Sequence, residues 1–183
     1  VQEYQDQILV PFAIEAALSG VGRALQPDER LFYRRRFTIP ETWAGRRVLL
    51  HFGAVDWQAT AWLNGKMLGV HQGGYLPFTF ELTQHLQAGK NELVVAVWDP
   101  TDAHWQQRGK QVLAPRTIWY SRISGIWQTV WLEPVPETYI SGLKITPDID
   151  AQTVQVEVLV DGKQELLESA RIRVAVGGSP VGQ

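Results

Sequence analysis

The sequence predicts an all-β protein, because short runs of β-branched and aromatic residues recur along most of its 183 residues. Turn residues separate these runs, and the Asn64-Gly65 pair between two of them is typical of a two-residue β-hairpin. No segment of convincing length repeats its apolar residues at the 3.6-residue period of an amphipathic helix. Only residues 81–87 and 164–169 are expected to form a helical turn each.

The first 29 residues carry two prolines and two glycines among scattered apolar residues, which predicts an irregular strap laid over a domain. Strands are predicted from Arg30 onwards. They are LFYRRRFTI, RRVLLHFGAV, QATAWL, KMLGV, PFTFEL, ELVVAVW and GIWQTVWLE. Residues 99–124, before the last of these strands, are predicted to be irregular. An irregular segment of that length in a compact domain is usually functional or forms a lid.

The prolines at 134 and 136 predict a boundary between two domains, residues 1–135 and 136–183. Beyond it, valine at every second position from 154 to 160 predicts a strand with one buried face, as in a sandwich. RIRVAV repeats that pattern, and Asp161-Gly162 is a second hairpin signal. The three or four strands expected here are fewer than the roughly seven of an immunoglobulin-like sandwich. The second domain is therefore expected to be incomplete.

The composition excludes several classes of function. A net charge of −2 and the lack of a basic surface pattern argue against a nucleic-acid partner, and no apolar run is long enough to cross a membrane. The absence of cysteine excludes disulfides and thiolate metal sites, and the four histidines do not have metal-ligand spacing. The chain does not begin with methionine or a signal-peptide pattern, so it is expected to be processed or cut from something longer. The compartment stays undetermined.

Five segments occur in a fixed order between Leu31 and Val135. They are FYRRRFTIP, RVLLHFGAVDWQATAWLNGKMLGVHQGGYLPFTFELT, NELVVAVWDPTD, RGKQ and SGIWQTVWLEPV. Together they resemble the N-terminal part of glycoside hydrolase family 2, the group of β-galactosidases, β-glucuronidases and β-mannosidases. The resemblance implies a jelly-roll β-sandwich of the galactose-binding-domain type, then an immunoglobulin-like sandwich, then a (β/α)₈ barrel with two glutamates. Such a barrel needs about 250 residues, so this chain is expected to be inactive alone.

The segment from Arg108 to Glu133 combines tryptophan and tyrosine with basic and amide side chains. Aromatic rings stack on the C–H faces of sugars, while guanidinium, ammonium and amide groups bond to hydroxyls. Trp127 and Trp131 are expected to share one face of a strand inside the sandwich, so sugar contact is expected in the irregular part. The candidate carbohydrate-contacting residues are His104, Trp105, Arg108, Lys110, Gln111 and Trp119.

Three roles stay open for the chain. It is expected to support the barrel of a retaining glycosidase and to contribute loop residues to the rim of a pocket for a β-linked galactoside, glucuronide or mannoside. It could instead be an independent carbohydrate-binding module or a purely structural sandwich. No residue is assigned as catalytic or as a metal ligand, and no cofactor is expected. Asp56, Asp99 and Asp102 flank strand ends and are interpreted as turn caps.

Overall fold

The computed structural model describes residues 3–168, 171–176 and 179–182. The chain divides into two compact units, Val1–Pro134 and Val135–Gln183. Within the described residues, no helix is both long and apolar enough to cross a membrane. The boundaries of the two domains, residues 1–135 and 136–183, stay a prediction.

The first unit is built from short strands that are mostly antiparallel, whereas the pair at Gln111–Val112 and Tyr120–Ser121 is parallel. They are β1 (Leu31–Thr38), β2 (Arg47–Phe52), β3 (Val55–Asp56), β4 (Gln58–Leu63), β5 (Lys66–Gln72), β6 (Phe78–Glu81), β7 (Lys90–Trp98), β8 (Gln111–Val112), β9 (Tyr120–Ser121), β10 (Gly125–Ile126) and β11 (Val130–Val135). Single 3₁₀ turns lie at Ala17–Ser19, Glu41–Trp43 and Thr83–His85. The two main sheets have the strand orders β1-β7-β4-β5 and β11-β2-β6. Two small pairs, β10 with β3 and β8 with β9, complete the unit.

The hydrophobic core draws on both main sheets. Alternate residues of each strand are buried because neighbouring side chains of a strand point to opposite faces. The buried set is Tyr33 of β1, Val48, Leu50 and Phe52 of β2, Ala59, Ala61 and Leu63 of β4, and Leu93, Val95 and Val97 of β7. This packing confirms the all-β sandwich that the alternating pattern predicts.

The hairpin between β4 and β5 forms where the Asn64-Gly65 pair predicts it. Both residues have positive φ, 51° for Asn64 and 78° for Gly65, as a type I′ turn requires. The Asn64 side chain donates hydrogen bonds to the Asn91 side chain at 2.8 Å and to the His85 carbonyl at 2.9 Å. The turn is therefore tied to the loop that precedes β7.

The irregular strap follows the surface of the first unit, as expected. Its side chains at Ile14 and Leu25 are buried, with 2% and 0% of their surface exposed. The Ile14 N–H donates to the Ser124 carbonyl at 3.4 Å, and the Arg23 N–H donates to the Ile14 carbonyl at 3.1 Å. The strap thus adds apolar contacts and backbone bonds to the end of the sandwich at which residues 99–124 lie.

The prediction of one continuous strand over GIWQTVWLE is wrong. The strand breaks after Ile126, so that β10 pairs with β3 while β11 pairs with β2. The break lies opposite a turn at Gly53, which separates β2 from β3, the two strands that pair with β11 and β10. A Cβ atom on Gly53 would lie 2.7 Å from the Gln128 Cβ, so the two segments approach each other closely at this turn.

The second unit begins with a long antiparallel pair, β12 (Tyr139–Asp148) with β13 (Thr153–Asp161). Its register aligns Leu143 and Ile145 with Val158 and Val156, so the predicted strand forms. The buried face predicted for it is wrong for the described residues, because Leu143 and Ile145 are 58% and 61% exposed and Val156 is 37% exposed. The helical turn α1 (Gln164–Leu167) and the pair β14 (Val174–Val176) with β15 (Ser179–Gly182) follow.

The hairpin expected at Asp161-Gly162 does not form. Asp161 ends β13, and the next element is α1 rather than a returning strand. The Asp161 carboxylate accepts a hydrogen bond from the Tyr139 hydroxyl at 3.0 Å, and a Cβ atom on Gly162 would lie 2.5 Å from the Thr138 hydroxyl oxygen. The chain is therefore held against the start of β12 at this point and continues into the helical turn α1.

Candidate functional site

A buried carboxyl group lies beneath the long irregular segment, residues 99–124. Asp56 ends β3, and only 2% of its surface is exposed. Its Oδ2 accepts a hydrogen bond from the Gln111 Nε2 group at 3.3 Å. Its other side packs so tightly against Gly74 that a Cβ atom at that position would overlap the carboxyl group. Asp56 is thus enclosed by residues that are distant from it in sequence.

Gln111 of β8 connects three segments of the chain. Its Oε1 accepts a hydrogen bond from the Ile123 N–H at 2.6 Å, which fixes the orientation of the amide. The NH₂ group therefore points towards Asp56 and also lies 3.4 Å from the Tyr75 hydroxyl oxygen. Because the Gln111 residue is only 8% exposed, its side chain is an internal brace of the loop.

Asp99 fastens both ends of the same loop. It follows β7, and its Oδ1 accepts a hydrogen bond from the Thr101 N–H at 2.8 Å. Its Oδ2 accepts a second bond from the Ser124 hydroxyl at 2.7 Å. The Ser124 N–H donates in turn to Glu15 of the strap at 2.9 Å. The start of the loop, its end and the strap are therefore joined at one buried point.

The two carboxyl groups are held where ionisation is unfavourable. Burial, together with the negative charges of Asp99 and Glu15, raises the pKa of Asp56 to about 7, although the Gln111 hydrogen bond opposes the rise. Burial also raises the pKa of Asp99, opposed by its bonds to Ser124 and Thr101. Across the described part of the chain, no group of three or more histidine or acidic residues could hold a metal ion. We conclude that the network supports the loop.

The interpretation of the three aspartates as turn caps is therefore correct only in part. Asp99 caps a turn through Thr101, and Asp102 accepts a hydrogen bond from the Leu113 N–H at 3.2 Å. Asp56 instead accepts a hydrogen bond from the side chain of Gln111, 55 residues further along the chain. Its burial depends on the loop that covers it.

Of the six sequence-predicted sugar contacts, Gln111 is buried, Arg108 is half-buried and the other four are exposed. Trp105 is 92% exposed and Trp119 is 40% exposed. The Arg108 guanidinium lies 5.8 Å from the centre of the Trp119 ring, and the Lys110 ammonium lies 5.8 Å from that of Tyr120. Four potential contacts for a sugar, Trp105, Arg108, Lys110 and Trp119, therefore belong to one loop, and two of them form a cation–π pair.

The other two predicted contacts have partners inside the domain. The His104 ring packs edge-on against Trp98 with 5.5 Å between ring centres, and Gln111 points inwards to Asp56. Arg108 also lies 3.6 Å from the Asp102 carboxylate. Whether any of the six residues touches a sugar stays a prediction.

Sequence reasoning missed the part of the site that lies before β6. Tyr75 is 44% exposed, and its ring meets Trp127 edge-on with 6.2 Å between ring centres. The Trp127 indole N–H donates to the Gly74 carbonyl at 2.8 Å. Trp127 is therefore a half-buried support of this loop, whereas Trp131 is 45% exposed and stacks on His51 at 4.7 Å. The only sequence signal was the pair Gly73-Gly74, where a close approach of backbone and side chain needs a missing Cβ.

The two-sheet antiparallel sandwich, with an aromatic loop fastened over one end, defines a jelly-roll β-sandwich domain. Residues 8–136 match the family model described as the sugar binding domain of glycosyl hydrolases family 2. The chain therefore belongs to glycosyl hydrolase family 2, and this region is its N-terminal sugar-binding domain.

Curated relatives agree with this assignment. A β-galactosidase of Thermoanaerobacter pseudethanolicus is 31% identical over 117 residues, which are 64% of this chain and 15% of the relative. A β-glucuronidase of Canis lupus familiaris is 28% identical over 156 residues, which cover 73% of this chain and 24% of the relative. The chain thus spans a quarter or less of the length of these two enzymes.

Solved structures show the same relationship. A β-glucuronidase from an uncultured Clostridium species superposes with a TM-score of 0.63 at 25% identity, covering 85% of this chain and 28% of that one. A β-glucuronidase of Faecalibacterium prausnitzii gives a TM-score of 0.62 at 28% identity, covering 85% of this chain and 30% of that one. In both proteins the similar region is a minor part of a longer glycosidase chain.

Proposed function

We propose that this chain is the non-catalytic N-terminal portion of a retaining family 2 glycosidase that acts on a β-linked galactoside or glucuronide. In that enzyme it supports the catalytic barrel and contributes residues 104–120 to the rim of the carbohydrate pocket. The names of the relatives, β-galactosidase and β-glucuronidase, support the substrate class. Their much greater length supports a role as one part of a larger enzyme.

One observation carries the rim assignment. The loop presents Trp105 and Trp119 to solvent, although large aromatic side chains are normally buried. The same loop is fastened by Asp56, Asp99 and Gln111 beneath it. A rigid loop with exposed rings and adjacent cations suits sugar binding, since ordering the loop costs little further entropy when the ligand arrives.

The carboxyl groups of this unit fit a supporting role better than a catalytic one. Retaining hydrolysis uses two carboxyl groups about 5 Å apart on either side of the scissile bond. Asp56 and Asp99 are 2% and 3% exposed and accept hydrogen bonds from the loop that covers them. We therefore assign the reaction to carboxyl groups of the barrel and the positioning of the rim to this unit.

Alanine substitutions at Trp105 and Trp119 in the complete enzyme test the rim assignment. A stacked ring contributes about 1 kcal/mol, so each substitution is expected to lower kcat/KM about fivefold. Trp131→Ala is the matched control, because that ring is 45% exposed but belongs to β11 rather than to the loop. Unchanged turnover and KM in the two loop variants, with a lower melting temperature, would support a purely structural domain instead.

An independent carbohydrate-binding module is the second candidate. The same exposed rings favour it, because stacked tryptophan can give affinity without catalysis. Isothermal titration of the 183-residue chain against a panel of neutral and acidic glycans distinguishes the two. Binding in the micromolar to millimolar range that Trp105→Ala weakens would favour the module, whereas flat heats would leave the rim assignment as the better account.

A further inference from the structure

The first unit has a cavity whose lining includes no residue of the loop at 104–120. It has a volume of about 310 Å³ and lies on the outer face of the four-stranded sheet, opposite the buried face that carries Tyr33 and Val95. Its lining residues are Tyr4, Phe32, Arg34, Trp62, Glu92 and Val94. We name this set the sheet-face groove. Its volume is at the lower end of ligand pockets, which enclose about 300–1,000 Å³.

The strand register builds the floor of the groove. Arg34 of β1 pairs with Val94 of β7, and Val94 pairs with Trp62 of β4, so these three residues form one row across the sheet. Phe32 lies two residues before Arg34 and therefore on the same face. Tyr4 reaches the groove from the strap and forms its side wall. Aromatic side chains thus line the floor and one wall.

Arg34 supplies an unsatisfied cation in this groove. Its guanidinium carbon lies over the Tyr4 ring, 4.1 Å from the ring centre, in a cation–π contact. Among the described residues, no carboxylate forms an ion pair with Arg34, whereas the nearby Glu92 is bound by Arg36 at 2.9 Å. A stacked guanidinium with unused N–H groups is the usual partner of a carboxylate bound through two parallel hydrogen bonds.

The groove continues beyond its aromatic wall. A neighbouring cavity of about 230 Å³ shares both Tyr4 and Phe32, and its charged lining residues are Glu3, Asp6, Arg23 and Arg30. Arg23 is paired with Glu29 at 2.8 Å, and the Arg30 guanidinium stacks on Trp98 at 4.9 Å. The two cavities share this pair of aromatic side chains, so the groove has space next to it for a further part of a ligand.

The lining favours one class of ligand. The charged residues Arg34 and Glu92 in this small groove argue against a protein partner, because the cores of protein interfaces are depleted of charged residues. Among the described residues the groove offers one cation without an ion pair, Arg34, whereas a nucleic-acid backbone is bound through several phosphate contacts. An acidic sugar fits this lining. The aromatic rings can stack on its C–H faces, the Arg34 guanidinium can bind its carboxylate, and the Glu92 carboxylate can accept hydrogen bonds from its hydroxyls.

We propose that the sheet-face groove binds an oligosaccharide that contains a uronate. One pyranose ring stacks on Trp62 and Phe32, and the uronate carboxylate forms a two-pronged pair with Arg34. The site is separate from the rim loop and does not depend on the function proposed for that loop.

Isothermal titration of the 183-residue chain tests the proposal. The probes are tri- and tetrasaccharides containing galacturonate, glucuronate or mannuronate, each titrated beside its neutral counterpart. At least one acidic probe is expected to bind at least tenfold more tightly than its neutral counterpart. Arg34→Gln is expected to abolish that preference, while Trp62→Ala weakens the binding of both probes.

Two control variants separate this site from its alternatives. Arg35→Gln removes the same charge from the next residue of β1, which points to the other side of the strand, and is expected to leave the affinity unchanged. Trp131→Ala removes an exposed ring from β11 of the other main sheet and is also expected to leave it unchanged. Equal losses with Arg34→Gln and Arg35→Gln would show general charge attraction and overturn the proposal. So would the absence of binding to every acidic probe at 10 mM, about the weakest affinity that such a contact set supports, with the fold verified by thermal melting.

Discussion

Replacing Asp56 with asparagine removes the charge of the buried carboxyl group and keeps its shape. In the native chain the group is 2% exposed, and its pKa is raised to about 7 from an ordinary value of 3.8. Asparagine can still accept the hydrogen bond that Gln111 donates at 3.3 Å. The substitution therefore isolates the free-energy cost of ionising this position in the folded protein.

The direction of the effect follows from the raised pKa. The folded state holds the proton more tightly than the unfolded state, so Asp56 does not penalise folding below about pH 4. As the pH rises from about 4 to about 7 the penalty grows, and above pH 7 it is constant. The two pKa values are about three pH units apart, and at about 1.4 kcal/mol for each unit the full penalty is about 4 kcal/mol.

The assay is urea unfolding of the native chain and Asp56→Asn at pH 4 and pH 8, followed by tryptophan fluorescence. The two proteins are expected to be equally stable at pH 4, while the variant is more stable by about 2–4 kcal/mol at pH 8. Asp28→Asn is the control, since this carboxylate is exposed and the same substitution should change stability little at either pH. A constant difference between native protein and Asp56→Asn at both pH values would refute the reasoning.

Two further predictions concern packing at the same end of the domain. Gly125 and Gly65 have similar positive φ angles, 89° and 78°. A methyl group added at Gly125 would overlap the buried Tyr33 hydroxyl, whereas one added at Gly65 would meet open space. In urea titrations Gly65→Ala should cost about 1 kcal/mol and Gly125→Ala about 2 kcal/mol more, and equal costs would contradict the predicted overlap. Gln111→Ala should speed hydrogen exchange and proteolysis across residues 104–120, because it removes the internal brace, while exposed Gln128→Ala should not. Identical exchange in these two variants would show that the brace is dispensable.

Local patterns predicted the parts of this fold that depend on local chemistry. The Asn64-Gly65 turn forms because both residues tolerate positive φ, and that property belongs to the two residues themselves. The same reasoning failed at Asp161-Gly162, where a bond to Tyr139 of the opposing strand holds the chain and a helical turn follows. The break at Trp127 was also unpredictable, because it is imposed by a turn in the partner strand at Gly53, which is distant in sequence.

The sequence by itself determined the fold class, the family and the loop that carries the exposed aromatic residues. Each of these depends on residue periodicity, turn chemistry or the order of short segments, and all three can be read directly from the amino-acid sequence. The tertiary structure decided that Gln111 faces inwards, that Asp56 is buried and that Arg34 of the sheet-face groove forms no ion pair with the carboxylates the structure describes. Asp56 and Gln111 are 55 residues apart in the chain, so only the packed domain brings them together and removes the water that would otherwise keep the carboxyl group ionised.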